Sequence, residues 1–336
     1  MSASHTVPLP QLIITLGPAS FDSLDELIRV GIHAVRLNGS HMDARTLEHA
    51  VRRIRNTSPM GVIVDLQGAK MRFGTFVPRT IHAGQSLTFS HDAHDAHDAI
   101  PVVHPELYRD AHVGDTLRCD DDRIRFRIDE VTSDHINVTC LSDGVLHPRK
   151  GVNVVEHPVH LDDLSHSDVQ QIEAVRPFDD ITFACSFMRD GREAAWVRQR
   201  APHAAIIGKV ERAEAMDAID SISASVDAVW ICRGDLGAQV GLATMARWIG
   251  AFQPASLPVP TFMAGQVLEH LTHHANPTRS EVCHLHDLLQ RGYAGIVLSD
   301  ETAIGLDPLR AASTAAALLK TLARGRNTRG RSGAEN

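Results

Sequence analysis

Short, nearly continuous apolar runs alternate with amphipathic stretches along most of the chain. The runs are Leu12–Leu16, Ala34–Leu37, Val62–Leu66, Ile181–Phe187, Ala205–Val210, Ala228–Cys232, Val259–Ala264 and Gly295–Leu298. Runs this short, without polar alternation, are the pattern of parallel strands covered on both faces. Helical periodicity appears over Phe21–Val30, Asp43–Arg55, Ser167–Val175, Gly191–Arg200, Ala213–Ser223, Ala243–Phe252, Arg279–Gln290 and Pro308–Leu322. Ser20 before the first helix reads as an N-cap and Gly31 after it as a C-terminal stop. Regular strand–helix alternation predicts a parallel sheet. Eight such units predict a closed (β/α)8 barrel, a fold of about 250 residues.

The third unit is interrupted. After Gly74 the helical period gives way to alternating segments such as SLTFS, TLRCD, RIRFRIDEV and HINVTCL, with turns at 82–84, 114–115 and 143–144. This is an all-β pattern. The expected organisation is therefore a barrel over 1–74 and 150–323, a small β-barrel-like domain over 75–149, and a disordered tail over 324–336. An insertion after strand 3 lies on the site-bearing face of such a barrel, which makes it a candidate lid. Within it, SHDAHDAHDAI repeats Asp-Ala-His. The repeat admits a metal-binding reading but reads better as a solvated polar loop.

Polar side chains follow the apolar runs at the same end of seven strands. Strand 2 ends in Arg36, Asn38 and Ser40, spaced for one face. Strand 3 ends in Asp65, strand 4 in Ser186, and strand 5 in Lys209 and Glu211. Strand 6 is followed by Arg233-Gly234-Asp235, strand 7 by Gly265-Gln266, and strand 8 by Ser299 and Glu301. Any one of these has a bland reading as a strand cap or structural ion pair. The set does not, because so many polar groups at a barrel mouth are costly unless paired with each other, a metal or a ligand. Glu211 and Asp235 leave adjacent strands, and two carboxylates with open positions suit Mg²⁺ or Mn²⁺. Lys209 beside them suits electrostatic stabilisation of an enolate or a transferring phosphoryl group. Arg36, Arg72 and Lys150 add cations able to bind phosphates.

Composition narrows the partners. The 336 residues carry 33 Lys+Arg against 41 Asp+Glu, a net charge of −8, which does not suggest a nucleic-acid partner. Five scattered cysteines with no CxxC pair read as reduced thiols. No leader pattern opens the chain and no apolar run approaches a membrane span, so a cytoplasmic protein is expected. The 21 histidines and the 4% aromatic content carry no functional reading.

The motifs resemble those of the pyruvate kinase family. They occur in order as IITLGPAS (13–20), VRLNGSH (35–41), VDLQGAKMR (64–72), KGVN (150–153), SF (186–187), KVERAEAM (209–216), RGDLG (233–237), NPTRSE (276–281) and LSDETA (298–303). The resemblance implies that Lys209 stabilises an enolate and the transferring phosphoryl group. It implies that Glu211 and Asp235 ligate Mg²⁺ and that Arg36 contacts the phosphate. Ser186, Gly234, Asp235 and Gly265 would surround the substrate. Arg72, Lys150 and His41 would face the phosphates of an adenine nucleotide, with Pro18 near the nucleoside and Asp121 reaching the nucleotide's metal. Ser299 and Glu301 would belong to the proton-relay region. Asn38, Ser40 and Asp65 match the family's K⁺ ligands, but Lys70 stands where K⁺-dependent members carry Glu, so K⁺ is not expected to be required.

Three departures qualify the resemblance. The chain ends after the eighth helix, without the family's C-terminal domain, so family-type allostery is not expected and any homodimer or other homo-oligomer would form through the barrel. Gly265 replaces a threonine whose hydroxyl bonds the substrate carboxylate, a loss worth ~1.5–3 kcal/mol. Ala69 replaces a proline, and Asp122 and Asp300 replace glycines. The implied function is phosphoryl transfer between phosphoenolpyruvate, or a bulkier enolpyruvate phosphate, and ADP or ATP. The alternatives are a Mg²⁺-dependent lyase or aldolase acting on a pyruvate-type enolate, and a non-catalytic relative.

Overall fold

The computed structural model describes residues 9–92, 99–120 and 122–329. Its first compact unit comprises 1–68 and 165–336, and its second 69–164. In the first, eight parallel strands close on themselves: β1 Gln11–Leu16, β2 Ala34–Asn38, β3 Gly61–Leu66, β4 Ile181–Cys185, β5 Ala205–Val210, β6 Ala228–Cys232, β7 Thr261–Ala264 and β8 Gly295–Leu298. Each strand pairs with its sequence neighbours, and β1 closes on β8 with Gln11 opposite Gly295. The alternation of the sequence thus yields the (β/α)8 barrel it predicts.

Strand parity organises the interior. Ile13, Ile63, Ala184, Ile207, Trp230, Cys232, Phe262, Ala264 and Val297 pack together as its apolar plug. Side chains alternate along a strand, so the next inward position on each strand stands one layer higher. Those positions include Thr15, Asp65, Ser186, Lys209 and Ser299. The plug ends where the polar layer begins.

Several local details differ from expectation. β4 stops at Cys185 because Phe187 takes a left-handed φ of 56°. Ser20 does not cap the first helix; its hydroxyl instead accepts from Gly17 N at 3.0 Å. Gly31 does stop that helix, with φ 91°. The helix expected over Ala213–Ser223 is two, Ala213–Asp217 and Ile219–Ser225. A further helix, Arg233–Val240, is one that two glycines in RGDLG conceal from propensity arguments. The last helix runs Pro308–Arg329, past the start of the expected tail at 324, and 330–336 lie outside the described residues.

The second unit extends beyond 75–149 at both ends, since Met71, Phe73, Val152, Val154, Val159 and Leu161 belong to its core. Phe89 sits at the centre, edge-on to Phe73 (5.4 Å) and to Phe126 (5.2 Å). A six-stranded sheet and a two-stranded one form it, but it is not all-β: Pro105–Asp110 is a helix begun by Pro105. Most of the Asp-Ala-His repeat falls in 93–98, outside the described residues.

Barrel closure supplies a stability test. A Cβ on Gly295 would stand 2.1 Å from Gln11 O, against backbone that cannot move without opening the β1–β8 seam. Gly295→Ala is expected to lower the unfolding free energy by about 2–3 kcal/mol, read from urea midpoints.

Candidate active site

Four charged residues from three strands form one network. Lys209 Nζ donates to Asp65 Oδ1 and Oδ2 (both 3.0 Å) and to Ser186 Oγ (2.8 Å), and lies 3.0 Å from Glu211 Oε1. Arg36 holds the outer oxygen of Asp65 through Nε (2.7 Å) and Nη2 (2.6 Å), and donates from Nη1 to Thr15 Oγ1 at 2.9 Å. Phe187 N donates to Glu211 Oε2 at 2.8 Å, which explains its left-handed backbone. Asp65, Lys209 and Glu211 are all buried.

Charge balance holds this together. Two cations face two carboxylates, and each buried charge has a partner. Burial alone would raise the Asp65 pKa, but Lys209 and Arg36 outweigh it and hold the group below the usual carboxylate range. Burial would lower Lys209, yet Asp65 and Glu211 raise it above the ordinary lysine value. The ammonium therefore stays charged at neutral pH. Just below, burial and then Glu211 push the Cys232 thiol far up, so it remains a neutral packing residue.

The other residues singled out by sequence fall into separate groups. Gly234 and Asp235 lie in the first turn of the helix after β6, and Gly265 lies close by: a Cβ on Gly265 would stand in van der Waals contact with Gly234 N at 3.8 Å. Gly265 and Gln266 are both left-handed (φ 75° and 55°). Arg233 fixes them, donating to Gly265 O (3.0 and 2.9 Å) and to Gln266 O, with His284 Nε2 at 2.9 Å from its Nη1. Ser299 N donates to Glu301 Oε2 at 2.7 Å. Glu301 is buried beside the Leu268 backbone, and burial raises its pKa. Asn38 Oδ1 accepts from Ser40 N (3.2 Å) within the turn 39–41, which contains His41. Asp65, the third residue of the set that includes Asn38 and Ser40, pairs with Arg36 and Lys209. Pro18 and His41 are exposed.

Lys70, Arg72 and Lys150 belong to the second unit. Arg72 pairs with Gly151 in an isolated antiparallel bridge, and Lys150 Nζ lies 2.8 Å from Asp120 Oδ1. The stem of Lys70 runs over Gly151, where a Cβ would come within 2.7 Å of its Cε. Gly151 is thus glycine to make room for Lys70. Asp121 is outside the described residues; Asp122 beside it adopts φ 67°, a left-handed conformation that aspartate tolerates where the family uses glycine.

Sequence reasoning passed over Thr15 and Asp168. Thr15 links β1 to β8 through Leu298 O (2.8 Å) while accepting from Arg36. Buried Asp168 takes Gln67 N (2.8 Å), Gly68 N (3.1 Å) and Ser165 Oγ (2.9 Å), pinning the turn that follows Asp65; burial pushes its pKa up to about 6. The Ser165-x-x-Asp168 capping pattern is the one available signal.

A closed parallel barrel with charged side chains gathered at the C-terminal ends of its strands has the architecture of a barrel enzyme. The family model for the pyruvate kinase barrel domain matches residues 9–312, and the chain belongs to the pyruvate kinase family of phosphotransferases. It is 28% identical over 331 positions to a pyruvate kinase of Mycobacterium tuberculosis (strain CDC 1551 / Oshkosh), covering 90% of this chain and 68% of that one. It is 30% identical over 317 positions to one of Agrobacterium vitis, covering 90% and 65%. The chain thus spans about two thirds of the length of these relatives. Among the described residues, no helix is long and apolar enough to cross a membrane.

Asp65→Asn removes the anion shared by buried Lys209 and part-buried Arg36 and is expected to cost about 3–5 kcal/mol at pH 7. Because the folded pKa of Asp65 is depressed, its contribution is present above its unfolded value and disappears as pH falls through the folded one. Urea unfolding across acid pH should show the gap between wild type and variant closing below about pH 4.

Proposed function

We propose that the protein transfers a phosphoryl group between an enolpyruvate phosphate and an adenine nucleotide. The observation that carries this reading is the Lys209 ammonium, locked by Asp65, Ser186 and Glu211 at the head of the apolar plug. Its raised pKa makes it a permanent cation and not a proton acceptor. A permanent cation there stabilises negative charge that develops on an enolate oxygen as the P–O bond to the phosphoryl group breaks and a new P–O bond forms on the nucleotide.

The donor set fits a hard divalent ion. Glu211 and Asp235 leave the ends of the neighbouring strands β5 and β6, paired through Lys209–Trp230 and Val210–Ile231, and they offer only oxygen. They would hold Mg²⁺ or Mn²⁺, which when bound supplies positive charge to substrate oxygens. The four-residue network is already neutral, so a substrate that brings its own carboxylate and phosphate matches the added charge. Arg36, anchored on Asp65 and Thr15, is placed to bind phosphate. Glu301, whose neutral form burial favours, is suited to keep and release a proton, with Ser299 fixing its orientation.

Arg72 and Lys150, both in the second unit, would take nucleotide phosphates, and Lys70 would stand in for K⁺. The absence of a side chain at Gly265 is what keeps a substrate bulkier than phosphoenolpyruvate at C3 as the second candidate.

A coupled assay with phosphoenolpyruvate, ADP and Mg²⁺ tests the reaction; turnover only with a C3-substituted enolpyruvate phosphate would select the bulkier substrate. Lys209→Met is expected to lower kcat by about 10²–10³-fold. Arg72→Ala should raise the KM for nucleotide, and activity that ignores both nucleotide and Arg72→Ala would favour a lyase or aldolase instead. Replacing KCl by tetramethylammonium chloride should leave the rate unchanged.

A further inference from the structure

In the second unit, His112, Asp115 and His157 place one ligand-capable atom each within 4.8 Å of one another. The chain is built locally to bring them there. Gly114, with φ 97°, turns the backbone so that Asp115 Oδ2 accepts from His112 N at 2.9 Å and Asp115 N donates to His112 O at 3.1 Å. His157 arrives in the bend that follows the strand Val152–Val154. Val152–Val154 pairs antiparallel with Thr116–Cys119, Val155 N donates to Thr116 O at 3.0 Å, and Glu156 Oε2 accepts from Thr116 N at 2.6 Å. The next residue sets His157 Nδ1 at 2.7 Å from Asp115 Oδ1. The two imidazole centroids are 4.3 Å apart, and His112 Nδ1 is 4.0 Å from Asp115 Oδ2.

The turn itself requires only the bond between the carboxylate and the His112 amide. It does not require two imidazoles on the same carboxylate. The Asp115 side chain is 3% exposed, whereas the two histidines are 63% and 57% exposed, so an ion could enter from solvent and meet a buried anion.

We propose that His112, Asp115 and His157 bind Zn²⁺, with water in the fourth position. Two imidazole nitrogens and one carboxylate suit zinc, whereas Mg²⁺ and Ca²⁺ prefer oxygen alone. Zinc–ligand distances of about 2.0–2.2 Å require the His157–Asp115 contact to open slightly, a rotamer-scale change for an exposed ring. The backbone bond from His112 N to Asp115 Oδ2 orients the carboxylate, and Glu156 on Thr116 fixes the bend that carries His157. The ion clamps the turn 112–115 to the segment that follows Val152–Val154, so it stabilises the second unit and takes no part in the chemistry of the barrel.

The full chain, stripped with chelator and titrated with ZnSO₄, tests this. Wild type should bind one tight equivalent by calorimetry and gain roughly 4 °C or more in Tm at saturation. The double variant His112→Gln/His157→Gln keeps Asp115 and its backbone bond, and should melt like the stripped wild type while losing both the equivalent and the shift. Co²⁺ in place of zinc should give the visible bands of a four-coordinate nitrogen and oxygen site in wild type alone. A double variant that binds and melts with zinc as wild type does would overturn the proposal, as would a wild type indifferent to zinc. The same variant-sensitive shift with Mg²⁺ would overturn the choice of metal.

Discussion

The barrel mouth depends on where one ammonium group can be neutralised. Lys209 has three N–H donors and spends them on Asp65, Ser186 and Glu211, from β3, the end of β4, and β5. That demands a definite register: Asp65 opposite Ala184, and Cys185 opposite Gly208. A slip of one residue on β5 would turn Lys209 and Glu211 toward the helices and bring Gly208 and Val210 into the polar layer. The alternative to the network is then a buried unpaired charge, which costs several kcal/mol. Apolar packing specifies a barrel; the ion network specifies which barrel.

That division explains what could be read from residues alone. Apolar runs announce strands, and the inward parity of each run carries over to the polar residue two places beyond it. Lys209, Glu211, Asp65 and Arg36 were therefore legible before any coordinates. The roles of residues acting on the backbone were not, even where the residue itself stood in a motif. Phe187 works through its N–H, Asp168 through two amides on another loop, and Arg233 through two carbonyls across the mouth. None of these leaves a periodic trace. The His112–Asp115–His157 cluster was invisible for a related reason: its members are 42 residues apart at the widest bond, and only pairing of Val152–Val154 with Thr116–Cys119 joins them.

Backbone strain collects where the barrel meets its loops. Phe187 and Gln266 are non-glycine residues in the left-handed region, each costing of order 1–3 kcal/mol. Each is compensated, Phe187 by the buried Glu211 carboxylate and Gln266 by the Arg233 guanidinium. This changes the meaning of Gly265. A β-branched threonine would resist its φ of 75°, so the glycine is coupled to the shape of the whole 265–266 turn and not only to a missing hydroxyl. The Arg233-held backbone, and not side-chain volume alone, therefore sets the shape of this turn.

Donor chemistry also separates the two metal readings. The barrel mouth presents carboxylates backed by ammonium and guanidinium groups, an environment that repels a further cation unless the substrate supplies negative charge with it. The cluster in the second unit presents a buried carboxylate under two exposed imidazoles, one bonded to it through Nδ1 and the other through its backbone amide. A weakly held, exchangeable hard ion belongs to the first arrangement, because its affinity follows substrate occupancy. A resident ion belongs to the second, because all its ligands are present whether or not substrate is bound. The two proposed ions are thus distinguished by donor type: oxygen alone at Glu211 and Asp235, two imidazoles with one carboxylate at His112, Asp115 and His157.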